Sequence, residues 1–148
     1  MNHSKNRAHV AARVFLGLTF TVFGLNGFVN FIPQPAPGAE AGAFLGALAA
    51  TGYMFPLIKA TEVAAGLLLL FGRWVPFALT LLAPVVVNIV AFHLFLEPAT
   101  LAVPLVTLAL GLYVAWTERA AYKPLFAPRS RDSSPARESA GGHAASAA

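Results

Sequence analysis

Residues 55–71, FPLIKATEVAAGLLLLF, form an apolar run long enough to cross most of a bilayer, yet Lys59 and Glu62 sit inside its first half. A charged side chain at the centre of a membrane helix costs about 2.5–3.5 kcal/mol on insertion scales. Three residues apart on a helix, the two charges share one face and can pair, which offsets part of that cost. The pair must still point away from lipid, toward other helices or trapped water. What the remaining segments offer Lys59 and Glu62 therefore decides the architecture.

Those segments are nearly as apolar. Charged residues make up 11% of the 148 positions, against about 25% in a soluble domain, and the mean hydropathy is +0.68. One small domain embedded in lipid fits this composition, and a water-soluble domain of the same size does not. The net charge of +4 does not point to nucleic acid, because the basic residues stand at the ends of apolar segments, where membrane topology accounts for them. No cysteine is present, which excludes disulfides, thiolate metal sites and thiol redox chemistry by this chain itself. With methionine only at Met1 and Met54, and His93 alone among the apolar segments, the ligands for a haem or a metal are too few. No metal-held or covalent cofactor is expected.

In chain order, residues 1–12 read as a polar, basic tail. Residues 14–32, VFLGLTFTVFGLNGFVNFI, follow as an uncharged run of spanning length, with Gly17, Gly24 and Gly27 allowing close helix approach. A basic start before an apolar run also matches a secretory signal cleaved near residues 39–41, but the length of the run and Asn26 within it favour a first span or signal anchor. Pro33, Pro35 and Pro37 break the helix. Residues 39–52 are too short to span and suit an interfacial or re-entrant helix. Further spans are expected at about 54–71, 74–96 and 99–118, with Pro84 kinking the third and Tyr113 and Trp116 as interface anchors on the fourth. Residues 127–148, rich in Ala, Ser, Pro and Arg, read as a disordered tail. The fold class is thus an all-α membrane protein: a four-transmembrane-helix bundle over residues 13–126, with a short interfacial or re-entrant helix between the first and second spans.

Charge orients that bundle. Lys5, Arg7, Arg13, Arg73, Arg119, Lys123, Arg129, Arg131 and Arg137 are nine of the ten basic residues, and with four spans all nine fall on one side. Both termini and the Arg73 turn are therefore expected in the cytoplasm, in a plasma (inner) membrane. Helix rise then places Asn26, Asn30, Lys59, Glu62, Asn88, His93 and Thr107 in the outer half, while residues 67–71 and 77–82 leave the inner half almost pure hydrocarbon. Each polar group has a structural reading beside the functional one. Asn26 and Asn30 suit hydrogen bonding between helices, His93 a solvated or capping role near Glu97, and Lys59 with Glu62 a pair that fixes helix register. For a carboxylate in the membrane interior, function is nonetheless the default.

The ordered series FGLNGFVNF at 23–31, AFLGALAATGY at 43–53, FPLIKATEVAAGLLLL at 55–70 and LAPVVVNIVAFH at 82–93 resembles the DoxX-like integral membrane proteins, over roughly residues 10–126. The chain departs from that family at Gly27, where members often carry Lys. The resemblance implies a four-helix membrane protein linked to redox systems. The family takes its name from a subunit of an archaeal terminal oxidase and thiosulfate:quinone oxidoreductase, and another relative is the membrane part of a complex with superoxide dismutase and a sulfurtransferase. It transfers no catalytic residue set, so any enzymatic role is that of a subunit in an oxidoreductase complex. The leading expectation is a membrane subunit or anchor of a redox-linked assembly. Asn26, Asn30, Lys59, Glu62, Asn88 and His93 would line a ligand pocket in the outer half, a quinone being the candidate ligand. Soluble or membrane redox proteins, the bilayer itself and a second copy of the chain are the expected partners, and nucleic acid is not. The alternatives are a small-solute or proton-coupled transporter, in which Glu62 titrates, and a non-catalytic scaffold or assembly factor.

Overall fold

The computed structural model describes residues 3–125, with side chains for residues 6–124. The tail expected at 127–148 lies outside the described residues. Six α-helices follow in order: α1 (His3–Val29), α2 (Ala39–Ala50), α3 (Met54–Phe71), α4 (Val75–Leu96), α5 (Ala102–Thr117) and the single turn α6 (Arg119–Tyr122). Two 3-10 turns, Pro98–Thr100 and Lys123–Leu125, complete the chain, and no strand occurs among the described residues. Residues 6–29, 54–71 and 75–96 are long and apolar enough to cross a membrane, whereas α2 and α5, of 12 and 16 residues, are apolar but shorter. This is a helical membrane protein.

Local chemistry sets most helix ends. The chain leaves α1 at Asn30, whose φ of +51° is a left-handed conformation that asparagine tolerates. α3 ends at Gly72 (φ +66°), whose N–H bonds Leu68 and Leu69 carbonyls in the usual glycine cap, and Arg73 N–H adds a bond to Leu68 O at 3.1 Å. Arg13 reaches from α1 to the same end and donates to the Leu69 carbonyl, which also accepts from Gly72 N–H, and to the Leu70 carbonyl, which has no other partner among the described residues. α4 begins with Pro76 in its first turn and runs unbroken through Pro84 to Leu96.

α1 starts well before its apolar run, so the polar residues expected as a tail are helical from His3. The reason is tertiary. His9 Nε2 comes within 3.3 Å of Glu118 Oε1, and Arg13 holds the end of α3, so the extra turns have partners to dock on.

α1, α3, α4 and α5 form a ring in which each helix touches two neighbours: α1 with α3 and α5, α4 with α3 and α5. The α1–α3 contact is the most extensive and relies on glycines. A Cβ on Gly66 would stand 2.7 Å from Thr21 N and 3.0 Å from Gly17 O, and one on Gly17 would stand 2.9 Å from Gly66 O. The backbones approach as closely as small residues permit. Leu16, Phe20, Leu69, Ala78, Leu82 and Val114 fill the centre. The outward faces are equally apolar: Phe15, Phe71, Phe77, Phe95, Leu112 and Trp116 are all exposed. An outer surface of this kind suits lipid as its solvent.

The two ends of the ring differ in charge. Arg13, the Gly72–Arg73 turn, and the His9–Glu118 contact gather at one end. Tyr122 closes the same end by donating to Pro76 O at 2.9 Å; burial pushes its phenol above the ordinary tyrosine range, which keeps the donor protonated. At the opposite end Glu97 Oε2 accepts from Gly38 N–H at 3.1 Å. That bond ties the start of α2 to the end of α4, and α2 rests across α3 and α4 rather than joining the ring.

Candidate functional site

The site is built outward from α3. Lys59 Nζ donates to both oxygens of Glu62, at 3.1 and 2.8 Å, and the Glu62 side chain is only 3% exposed. Spacing of three residues on one helix brings the pair together, and Gly27 makes room for it. A Cβ at Gly27 would fall 2.5 Å from Lys59 Cδ and 2.6 Å from Cγ, so the lysine stem lies directly on the α1 backbone. The Phe55 ring, its centroid 5.7 Å from Nζ, adds a cation–π contact. Two of the three ammonium N–H groups are thereby directed at Glu62, which leaves one.

The asparagines do different jobs. Asn26 is buried, and both ends of its amide are engaged with one residue: Nδ2 donates to Ile32 O at 3.2 Å, and Oδ1 accepts from Ile32 N–H at 2.6 Å. It clamps the chain where α1 turns into the proline loop, so the hydrogen bond between helices expected of it is replaced by one within its own segment. Asn30, the left-handed residue that ends α1, is exposed, and its N–H bonds Asn26 O at 2.9 Å. Asn88 on α4 is exposed with no hydrogen-bond partner for its amide among the described residues. His93, five residues further along α4, has Nδ1 2.8 Å from Ile89 O. A carbonyl oxygen only accepts, so the proton is assigned to Nδ1, and in the neutral ring Nε2 carries the lone pair.

All six of these residues line one cavity of about 590 Å³. α1 contributes Phe23, Asn26 and Gly27, with Asn30 just past its end, α3 contributes Phe55, Lys59 and Glu62, and α4 contributes Pro84, Asn88, Phe92 and His93. The volume is that of an ordinary small-molecule site, and its lining of aromatic and aliphatic side chains with a few polar groups is the usual composition of one.

Two contributors were not identified from the sequence. α2 covers the cavity with Phe44, Leu45 and Leu48, and Phe44 meets Phe92 with ring centroids 5.7 Å apart. Gln34, in the proline loop, also lines it. The sequence signal for Gln34 is slight: it is the one amide in a loop otherwise made of Pro, Ala and Gly. Thr107, expected at comparable depth, is elsewhere. Its hydroxyl donates to Val103 O at 3.0 Å, and it borders a separate apolar cavity of about 190 Å³ between α1, α4 and α5, walled by Leu16, Phe20, Leu82 and Leu108. α5 contributes nothing to the polar cavity, because its ring neighbours are α1 and α4 on the far side. No group of three His, Cys, Asp or Glu side chains stands close enough to hold a metal among the described residues.

Comparison with protein-family models, with curated proteins and with solved structures finds no match to this chain.

Proposed function

We propose that this chain is a four-span inner-membrane protein of the DoxX-like type. It holds a lipid-soluble, ring-shaped ligand of the quinone class between α1, α2, α3 and α4, as the membrane subunit or anchor of a redox-linked assembly. α5 is the fourth span: sixteen helical residues rise about 24 Å, and the 3-10 turn at Pro98–Thr100 extends that reach. The gathering of Arg13, Arg73, Arg119 and Lys123 toward one end supports that end, with both termini, on the cytoplasmic side.

The observation that carries the ligand reading is the cavity itself. Space of about 590 Å³ is kept open beside an ion pair, with amides and an imidazole around it and phenylalanines as walls. The space opens to the outside of the bundle past exposed Asn30, Gln34, Phe44 and Asn88, so a ligand can reach the ion pair from the lipid or the outer surface. The opposite end of the ring is sealed by Leu69, Val75 and Val114, which argues for access from the lipid or the outer surface and against a through-path for a transported solute.

One observation favours a scaffold as the second reading: Lys59–Glu62 and Asn26–Ile32 are each satisfied internally. Binding of a quinone analogue to the detergent-purified protein separates the two. The wild type is expected to bind, Asn88→Leu to bind about three- to tenfold more weakly for a lost hydrogen bond, and Lys59→Met with Glu62→Leu to fold without binding. Equal binding by all three, or none by the wild type, leaves the scaffold.

A further inference from the structure

We infer that the cavity takes an uncharged hydroxyaromatic ring, a hydroquinone or phenol, whose hydroxyl donates a hydrogen bond to His93 Nε2. The inference rests on the cavity being a ligand site, as proposed above, and adds which chemical form it selects. His93 is the polar group in the lining whose role is one-sided. Its Nδ1 is committed to Ile89 O at 2.8 Å, and Nε2 has no hydrogen-bond partner among the described residues. In the neutral ring Nε2 can only accept. A quinone brings only carbonyl lone pairs and would set lone pair against lone pair there. A phenolic hydroxyl supplies the missing proton.

Three further features suit the same ligand. The two full charges in the lining, Lys59 and Glu62, neutralise each other at 2.8 Å, so a charged ligand would lose its hydration without finding an unpaired counter-charge. The wall beside His93 is aromatic. Phe92 meets the imidazole edge-on, with centroids 5.1 Å apart and planes at 78°, and meets Phe44 at 42°. Such walls accept another ring in edge or offset contact. Elsewhere in the lining, Lys59 retains one N–H and Asn88 an unengaged amide, and these can receive a second oxygen whether it donates or accepts. The lining therefore specifies a donor at His93 and tolerates either function at Lys59 and Asn88.

The test compares three ligands of nearly one shape: durohydroquinone, duroquinone and durohydroquinone dimethyl ether, which keeps the oxygens and lacks the donors. Affinity is read by equilibrium dialysis against full-length protein in detergent. Because the chain has no cysteine, a reductant that holds the first ligand in its hydroquinone form leaves the protein's covalent structure unchanged. The wild type is expected to bind the hydroquinone about tenfold more tightly than either competitor, the value of one hydrogen bond. His93→Phe preserves a ring against Phe92, and it should weaken hydroquinone binding about tenfold and abolish the preference for hydroquinone over quinone. His93→Gln, which restores an acceptor, should recover part of the preference, and its thermal stability checks that both variants fold. Equal affinity for all three ligands, tighter binding of the quinone, or a hydroquinone preference that survives His93→Phe would each overturn the inference while leaving the cavity as a ligand site. Binding of none of them would remove both.

Discussion

Lys59 Nζ lies 2.8 Å from Glu62 Oε2 and 3.1 Å from Oε1, so a single ammonium closes on both carboxylate oxygens of a side chain one turn further along its own helix. The pair is neutral as a unit, and its lysine stem is laid against Gly27 of the neighbouring helix. It is at once a wall of the cavity and part of the α1–α3 contact, and these two roles can be separated by substitution.

Removing one charge should harm the protein more than removing both. Glu62→Ala strands a cation in the interior, and breaking a buried pair typically costs about 3–5 kcal/mol. Lys59→Met combined with Glu62→Leu should recover most of that loss, because neither charge then has to be desolvated. Thermal stability of the two single variants and the double variant in detergent measures the coupling. Neutral single variants would mean that water reaches both groups.

At the α1–α3 crossing, Gly66→Ala should destabilise by about 1–3 kcal/mol, the usual cost of overpacking. Its Cβ would meet Thr21 Oγ1 at 2.6 Å and backbone atoms at 2.7 and 3.0 Å, and backbone cannot swing aside. Thr21→Val should behave in the opposite way. The Thr21 hydroxyl is buried with no partner among the described residues, so replacing it with a methyl of similar size should leave stability level or raise it by about 1 kcal/mol. Parallel melting curves of both variants test the crossing; a clear loss of stability for Thr21→Val would show that its hydroxyl has a partner.

Arg13→Met should cost about 1–3 kcal/mol, since it strips the Leu70 carbonyl of its partner, takes one of two donors from the Leu69 carbonyl and removes a cation from a helix C-terminus. Arg13 is remote from the cavity, so ligand affinity should not move. Stability and quinone-analogue affinity, measured on the same preparation, check both halves of the statement.

Reporter fusions test the orientation. Alkaline phosphatase joined after residue 126, or inserted at the Arg73 turn, should be inactive, and the same reporter in the loop at residues 33–38 should be active. Activity at either basic position contradicts four spans with both termini cytoplasmic.

The apolar runs at 14–32, 54–71 and 74–96 were legible as helices because the cost of placing backbone and side chains in lipid is local, residue by residue. The Lys59–Glu62 pair was legible for the same kind of reason: helix geometry alone puts positions three apart on one face. Glycines at 17, 24 and 27 announced close helix approach, and Gly27 proved to be the seat of the lysine stem.

Other features depended on which groups are left unsatisfied once helices meet, and no local pattern records that. Asn26 looked like interhelical glue, but the chain's turn at Asn30 exposes the backbone of Ile32 to its amide, and a partner six residues away on the same chain is the cheaper one to reach. Arg13 read as a topology marker, yet the end of α3 arrives beside it with the Leu69 and Leu70 carbonyls able to accept, and the polar start of α1 becomes helix around that contact. Thr107 has the depth of the cavity but sits on α5, which closes the ring from the other side. Conversely, Phe44 and Leu45 enter the lining because α2 packs across α3 and α4, with the Glu97–Gly38 bond at its start, and Gln34 enters from the loop before it. Sequence by itself determined the helices, the charge asymmetry and the buried ion pair, since each follows from solvation and spacing along one segment. The tertiary structure alone decided which of those polar groups face a common space, since that depends on the order in which helices pack and on the carbonyls and N–H groups each packing step leaves to be satisfied.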